Sequence, residues 1–347
     1  MKWPSGQNLP RTHAKPTFSE AWFNKRFGLE FGERYHRDPI HRTEQDRGAM
    51  RLVYERFGHL GIGEMDPAPK PHLEICGHRF LPAMLGCEIL FQDDQAPASV
   101  HMSLDSPQDL SRFVMPDLCQ NKWAVDFRRQ ARQLLERYGE VDATINHGGP
   151  INVASNVFGT EAFLLMVDEP VLFRKFLRLI ADLCILTYDE LTLPLNPRLG
   201  AGREMFIGNC PVMMLDPATY VEEILPADLS IRRRVERFGL HHCGSMDRYL
   251  AAYRRLEPLE FLEVGWGSTI ALVREAFLDT LLDLMVSVKD ISAMPPDALQ
   301  EAMADMIAAA LPLSFVRDVF MADVGPDVLD ATIETFVEAV DRAFAMK

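Results

Sequence analysis

The chain has 347 residues, 48% hydrophobic and 25% charged, with a formal net charge of −14. That length fits one large barrel or two modest domains. The acidity argues against nucleic acid and against an anionic membrane surface as partners.

No apolar run reaches bilayer length. Residues 1–16 are polar and Pro-rich and lack the apolar segment of a secretory signal. The six cysteines are scattered and match no compact disulfide framework, so free or metal-bound thiols in a cytoplasmic protein are expected.

Residues 1–75 read as a helical and irregular extension packed on a barrel formed by residues 76–347. In the extension, Glu20 to Phe27 and Glu44 to Phe57 carry apolar residues at helical spacing, interrupted by Asp38-Pro39. Arg34, Tyr35, Arg37, Arg42, Arg47 and Arg51 give either a solvated face or a lid for an anionic substrate. Phe80 to Leu85 and Glu88 to Phe91 read as a hairpin or early strand pair, with Asp93-Asp94 as its turn.

From about residue 120 the pattern is regular. Ala124 to Tyr138 is a helix, Ala143 to Asn146 a strand, and His147-Gly148-Gly149-Pro150 its loop. Helices follow over Val153 to Val167 and Pro170 to Leu193. Glu204 to Ile207 is a strand ending in Gly208-Asn209-Cys210-Pro211. Asp216-Pro217 opens a helix, expected to run to about Phe238 with a kink at Pro226.

Leu240-His241-His242-Cys243 then ends a short strand, and Asp247 is expected to cap the next helix. Leu259 to Val264 is a strand closed by Gly265-Trp266-Gly267-Ser268. Further strands are expected at Leu281 to Val288 and Phe315 to Met321, with helices at Thr269 to Phe277, Pro296 to Ala310 and the C-terminus. Strand then helix, repeated, indicates parallel βα units and an α/β (β/α)8 TIM barrel. A doubly wound sheet is the alternative, but no Gly-x-Gly-x-x-Gly follows the first strand.

In a barrel the strand ends gather at one mouth. His147, Cys210, His241, Cys243 and Glu263 all sit at such ends. Side chains alternate along a strand, so His241 and Cys243 face one way and His242 the other. Imidazole and thiolate suit zinc, so His241, Cys243 and Cys210 are the expected metal ligands. His147 and Glu263 are candidates for a fourth ligand, for support of the ligands, or for catalytic groups. Asn146, Asn209, Trp266 and Asp94 are candidate substrate contacts. The competing reading is a barrel with a packed histidine and buried cysteines.

These residues resemble the uroporphyrinogen decarboxylase superfamily. The resemblance rests on Leu240-His241-His242-Cys243-Gly244, Asp216-Pro217-Ala218-Thr219-Tyr220, Gly149-Pro150-Ile151 and the loop Glu263 to Ser268, and covers roughly residues 80–345. It implies a (β/α)8 barrel and one of two chemistries. The corrinoid-linked zinc methyltransferases hold zinc with a His-x-Cys, matched by His241 and Cys243, and a distant cysteine near the last strand. Here that region reads Phe320-Met321-Ala322-Asp323-Val324-Gly325, without cysteine. With this departure from the pattern, either Cys210 or an acidic residue takes its place, or zinc is lost; the resemblance also implies a cobamide co-substrate carried by a separate corrinoid protein. The decarboxylases proper are cofactor-free, and their Met-Arg-Gln-Ala-Gly-Arg motif is absent here. That alternative would use Asp93 or Asp94 with arginines of the N-terminal segment on an anionic substrate.

Overall fold

The computed structural model describes residues 12–196 and 202–347. Ten strands are present among them: β1 (Ala14–Phe18), β2 (His72–Leu73), β3 (Ile89–Gln92), β4 (Gln95–Ser99), β5 (Asp142–Ala143), β6 (Glu204–Gly208), β7 (Arg237–His242), β8 (Phe261–Val264), β9 (Leu281–Val286) and β10 (Val316–Val324). Six form a sheet in the order β1-β10-β9-β8-β7-β6, every pair parallel. β2 and β5 form a second parallel pair. Together these eight supply the strands of a (β/α)8 barrel, as expected. β3 and β4 are an antiparallel hairpin outside it.

The stretch 1–75, expected as an extension beside the barrel, carries two of the eight strands. β1 pairs with β10, placing Ala14 opposite Val319. Residues 1–11 lie outside the described residues. Where no ladder joins β5 to β6, the Asn196 carboxamide bonds both the N–H and the C=O of Ala143. This satisfies backbone groups that a missing ladder would otherwise leave unpaired. The loop after β5 is then tied to the end of β6 by Gly149 N–H to Gly208 O, 2.7 Å.

Alternation along the strands sorts the side chains. Leu240, Leu262 and Leu284 turn outward and are fully buried under the helices. Gly208, His241, Glu263 and Asp283 lie in register on four adjacent strands. They share the other face, the barrel interior. The helices carry ordinary start signals. Asp38 caps Pro39–Phe57 by accepting from Ile40 N and His41 N, and Asn121 caps Lys122–Tyr138 by accepting from Trp123 N and Ala124 N. No single helix among the described residues is long and apolar enough to cross a membrane. One sharply bent pair, Pro150–Phe158 and Glu161–Asp168, passes by composition; its Ile151, Val153, Ala154 and Val157 are buried in the core.

Four expected elements differ. Phe80–Met84 is a buried helix rather than a strand, because all five side chains pack inward at once, which a half-exposed strand cannot do. The apolar run over 153–167 breaks at Gly159, where φ is +62°. The helix expected to reach Phe238 ends at Arg232, and Phe238 already belongs to β7. Asp247 caps no helix; its carboxylate accepts from Thr269 N (2.8 Å) and Thr269 Oγ1 (2.7 Å). It therefore ties the segment after β7 to the segment after β8.

Candidate metal centre

Three ligating side chains meet where β6 and β7 end. One donor atom from each of Cys210, His241 and Cys243 lies within 4.8 Å of the others. His241 is on β7 and faces inward. Cys243 follows two residues later and faces the same way. Cys210 comes from the turn after β6, which the strand pairing of Gly208 with His241 sets beside them. His241 Nε2 is 3.0 Å from Cys243 Sγ, and Cys243 Sγ is 3.1 Å from Cys210 Sγ. The other ring nitrogen, His241 Nδ1, is 2.7 Å from Glu263 Oε2 on β8.

The charges follow from these contacts. The Cys243 thiol donates to Cys210, and this pulls the Cys210 thiol down to about 4 against the opposing effect of burial. His241 and the Asn152 side chain add to it. The same hydrogen bond, with burial, pushes the Cys243 thiol up. Burial alone would lower the His241 imidazole, but Cys210 and Glu263 outweigh it and raise it to about 9. The same contacts therefore favour negative charge on Cys210 and positive charge on the His241 ring.

The residues fit a zinc ion. Two sulfurs and one imidazole nitrogen are the donors zinc prefers, and three protein ligands leave a fourth position for a substrate. Tetrahedral bonds of the usual length space such donors about 3.5 Å apart, so the cluster needs to open by about half an ångström. Glu263 accepts from the non-ligating nitrogen, which fixes the tautomer that leaves Nε2 as ligand. All three ligands are partly exposed, so the open side faces solvent.

The other expected residues are distributed differently. Asn146 is exposed at the mouth beyond β5, and Trp266 is 39% exposed in the loop after β8. Asp94 sits in the turn between β3 and β4, as expected for a turn. The Asp93 carbonyl there accepts from Phe31 N at 2.9 Å, tying this turn to the N-terminal segment. His147 and Asn209 correct the expectation. Each follows an inward- or mouth-facing residue and so turns outward. His147 is buried, with Nε2 3.1 Å from Thr187 Oγ1, and burial lowers it to about 4, so it is neutral. The Thr187 hydroxyl donates to Leu183 O (2.8 Å), so the imidazole is the donor between the two. Asn209 is fully buried and donates to Asp228 Oδ2 at 2.8 Å, so it supports the turn from behind rather than touching a substrate. Tyr220 donates to the same oxygen at 2.8 Å. His242 faces away from the cluster as alternation requires and bonds the Tyr253 hydroxyl at 2.8 Å.

Several residues at the site went unread in the sequence. Asn152, in the first turn of Pro150–Phe158, reaches Cys210. Asp283 and Arg317 pair beside Glu263: Arg317 Nε is 2.8 Å from Asp283 Oδ1, and Arg317 Nη2 contacts Oδ2. Asp283 has no exposed side-chain surface, and burial pushes it up to about 6 although Arg317 opposes this. An aspartate two residues into an apolar strand shows only as a break in the hydrophobic run.

The family model described as Uroporphyrinogen decarboxylase (URO-D) matches residues 77–285. Among solved structures, a methyltransferase from Methanosarcina mazei is similar with a TM-score of 0.64 and 17% identity, covering 95% of this chain and 92% of that one. A B12-independent methionine synthase from Shewanella sp. W3-18-1 gives a TM-score of 0.47 and 11% identity, over 97% of this chain and 100% of that one. No curated protein matches. The family match takes in β5 to β8 and most of β9, and with them Cys210, His241, Cys243 and Glu263: the chain belongs to the uroporphyrinogen decarboxylase family.

Proposed function

We propose that this chain is a zinc-dependent methyltransferase, moving a methyl group between a corrinoid (cobamide) carrier and a thiol or small methylated substrate. The observation that carries this is the Cys210–His241–Cys243 cluster with Glu263 on the free imidazole nitrogen. The methyltransferase from Methanosarcina mazei shares the fold and supports the reading.

In this reading Cys210, His241 and Cys243 hold the metal, and Glu263 holds the imidazole. Bound there, zinc supplies a positive charge that keeps a thiol substrate as its nucleophilic thiolate near neutral pH. Asn152 orients Cys210. Trp266 offers an apolar wall at the rim for a flat partner group. The cobamide arrives on a separate corrinoid protein.

The cofactor-free decarboxylase reading asks the N-terminal arginines to clamp an anion. Several already have partners: Arg37 meets Glu33 and Asp126, Arg42 meets Gln130 and the His72 carbonyl, and Arg47 meets Glu44. Metal content discriminates the two readings. Protein purified without added zinc and without a His-tag is expected to hold about one zinc per chain, lost in Cys243→Ser. Thiol-dependent demethylation of methylcobalamin should accompany it. Metal-free wild type under chelator-free purification, or loaded protein inert in that assay, overturns the reading.

A further inference from the structure

The barrel interior beneath the cluster holds a closed circuit of side chains. His241, Glu263 and Asp283 occupy one rung of β7, β8 and β9. Adjacent strands stand about 4.8 Å apart, so Glu263 and Asp283 are neighbouring carboxylates on one face. Asp283 is fully enclosed, and like charges so placed repel. The cation that answers them is Arg317 on β10, forked onto both oxygens of Asp283. Its guanidinium lies 5.0 Å from the centre of the Phe261 ring. Phe261 stacks on Phe206 at 4.9 Å, and Phe206 meets the His241 ring edge-on at 6.3 Å. The guanidinium is therefore fixed from below by an aromatic floor that also bounds the metal ligand.

We infer that Arg317 and Asp283 are positioning residues for the Cys–His–Cys centre. Asp283 holds the Arg317 charge on the inner wall two strands from Glu263, and that charge keeps Glu263 available as the acceptor for His241 Nδ1. Without the guanidinium, Asp283 either keeps its charge and repels Glu263, or takes a proton and offers it to Glu263. Each outcome weakens the carboxylate's hold on the imidazole, and the ligand is then free to rotate. Neither residue is one of the three clustered ligands. The inference rests on the zinc reading above.

The test is zinc affinity by chelator competition, with the visible spectrum of the cobalt(II)-substituted protein as a report on ligand geometry. It uses wild type, Arg317→Gln, Arg317→Lys and the double variant Asp283→Asn/Arg317→Gln. Arg317→Gln is expected to weaken zinc by about tenfold, the low end for loss of groups that support a ligand, and to broaden the cobalt bands. Arg317→Lys should lose less, because it keeps the charge. The double variant removes both members of the pair and should recover to within about threefold of wild type, a restoration that lost packing cannot produce. Wild-type affinity in Arg317→Gln, or no recovery in the double variant, overturns the inference while leaving the zinc reading intact. A wild type that binds no zinc overturns both. Should Arg317→Gln fail to fold, Arg317→Lys and the double variant carry the comparison, and a double variant tenfold weaker than wild type is then the refuting result.

Discussion

Gly265→Ala tests how closely the strand after the metal loop must approach it. A methyl group at Gly265 would stand 2.6 Å from Gly244 N and would overlap the carbonyl oxygens of His242 and Gly244. These three atoms are backbone, so no side chain can rotate away. Ordinary contact begins at about 3.4 Å, so even Gly244 N, the farthest of the three, must retreat by about 0.8 Å and the two carbonyl oxygens by about 1 Å. Metal sites tolerate about 0.2 Å in bond length. The displacement is therefore large for the ligand and modest for the fold. Overpacking of this size costs about 1–3 kcal/mol. The expected result is a folded protein with a lower melting temperature and at least about tenfold weaker zinc binding. Gly325→Ala is the control, since nothing lies within 4 Å of the new carbon; its melting temperature and zinc affinity should match wild type. Gly265→Ala with wild-type zinc affinity and stability would refute the argument.

Other substitutions probe separate parts of the molecule. Glu263→Gln keeps an acceptor for His241 but removes its charge; with Glu263 a quarter exposed, zinc affinity should fall by about tenfold rather than a hundredfold, and an unchanged chelator-competition curve would contradict this. Asp228 is fully buried and raised to about 7, chiefly by burial, although Asn209 and Tyr220 oppose it. A carboxyl raised on folding binds its proton more tightly in the native state, so its contribution is greatest at low pH and is lost as pH rises towards 7, at up to about 1.4 kcal/mol per pH unit. Asp228→Asn should flatten the denaturant-midpoint profile between about pH 4 and pH 7, and an unchanged slope would remove Asp228 as its source. Arg274 is buried and donates to the carbonyls of Phe277, Leu278, Thr280, Ala310 and Phe315. Arg274→Met leaves them unpaired and should cost about 3 kcal/mol or more in urea unfolding; a loss under about 1 kcal/mol would show that water replaces it.

The centre was legible because its signal is local. His241 and Cys243 alternate with His242, and that spacing alone puts the first pair on one face and the other residue on the opposite face. Cys210 was legible from βα order, which brings consecutive strand ends together. The same reasoning overreached at His147 and Asn209. Both sit near strand ends in sequence, but each comes one residue after an inward- or mouth-facing one. Parity, not proximity to the strand end, decides which side chain reaches a substrate. The barrel was readable after residue 120 because helices there are long and periodic. β1, Ala-Lys-Pro-Thr-Phe, and β2, two residues long, have too few apolar positions for a period to show. Their strand geometry comes from β10 and β5, distant in sequence. Arg317 and Asp283 were hidden for a related reason, since a pair 34 residues apart leaves no local pattern.

The pairing of β1 with β10 has a bearing on the order of assembly. It joins Ala14 to Val319, so closing that loop of about 300 residues costs roughly 5 kcal/mol of chain entropy. Contacts at the metal centre span 22 residues between His241 and Glu263 and 33 between Cys210 and Cys243. They cost about 3 kcal/mol each to close on the same scale. On a growing chain the ligand-bearing strands emerge together, well before the partner of β1. On this scale the Cys210–His241–Cys243 cluster is expected to form early and the ring to close late, so the cluster is assembled while the barrel is still an open, curved sheet.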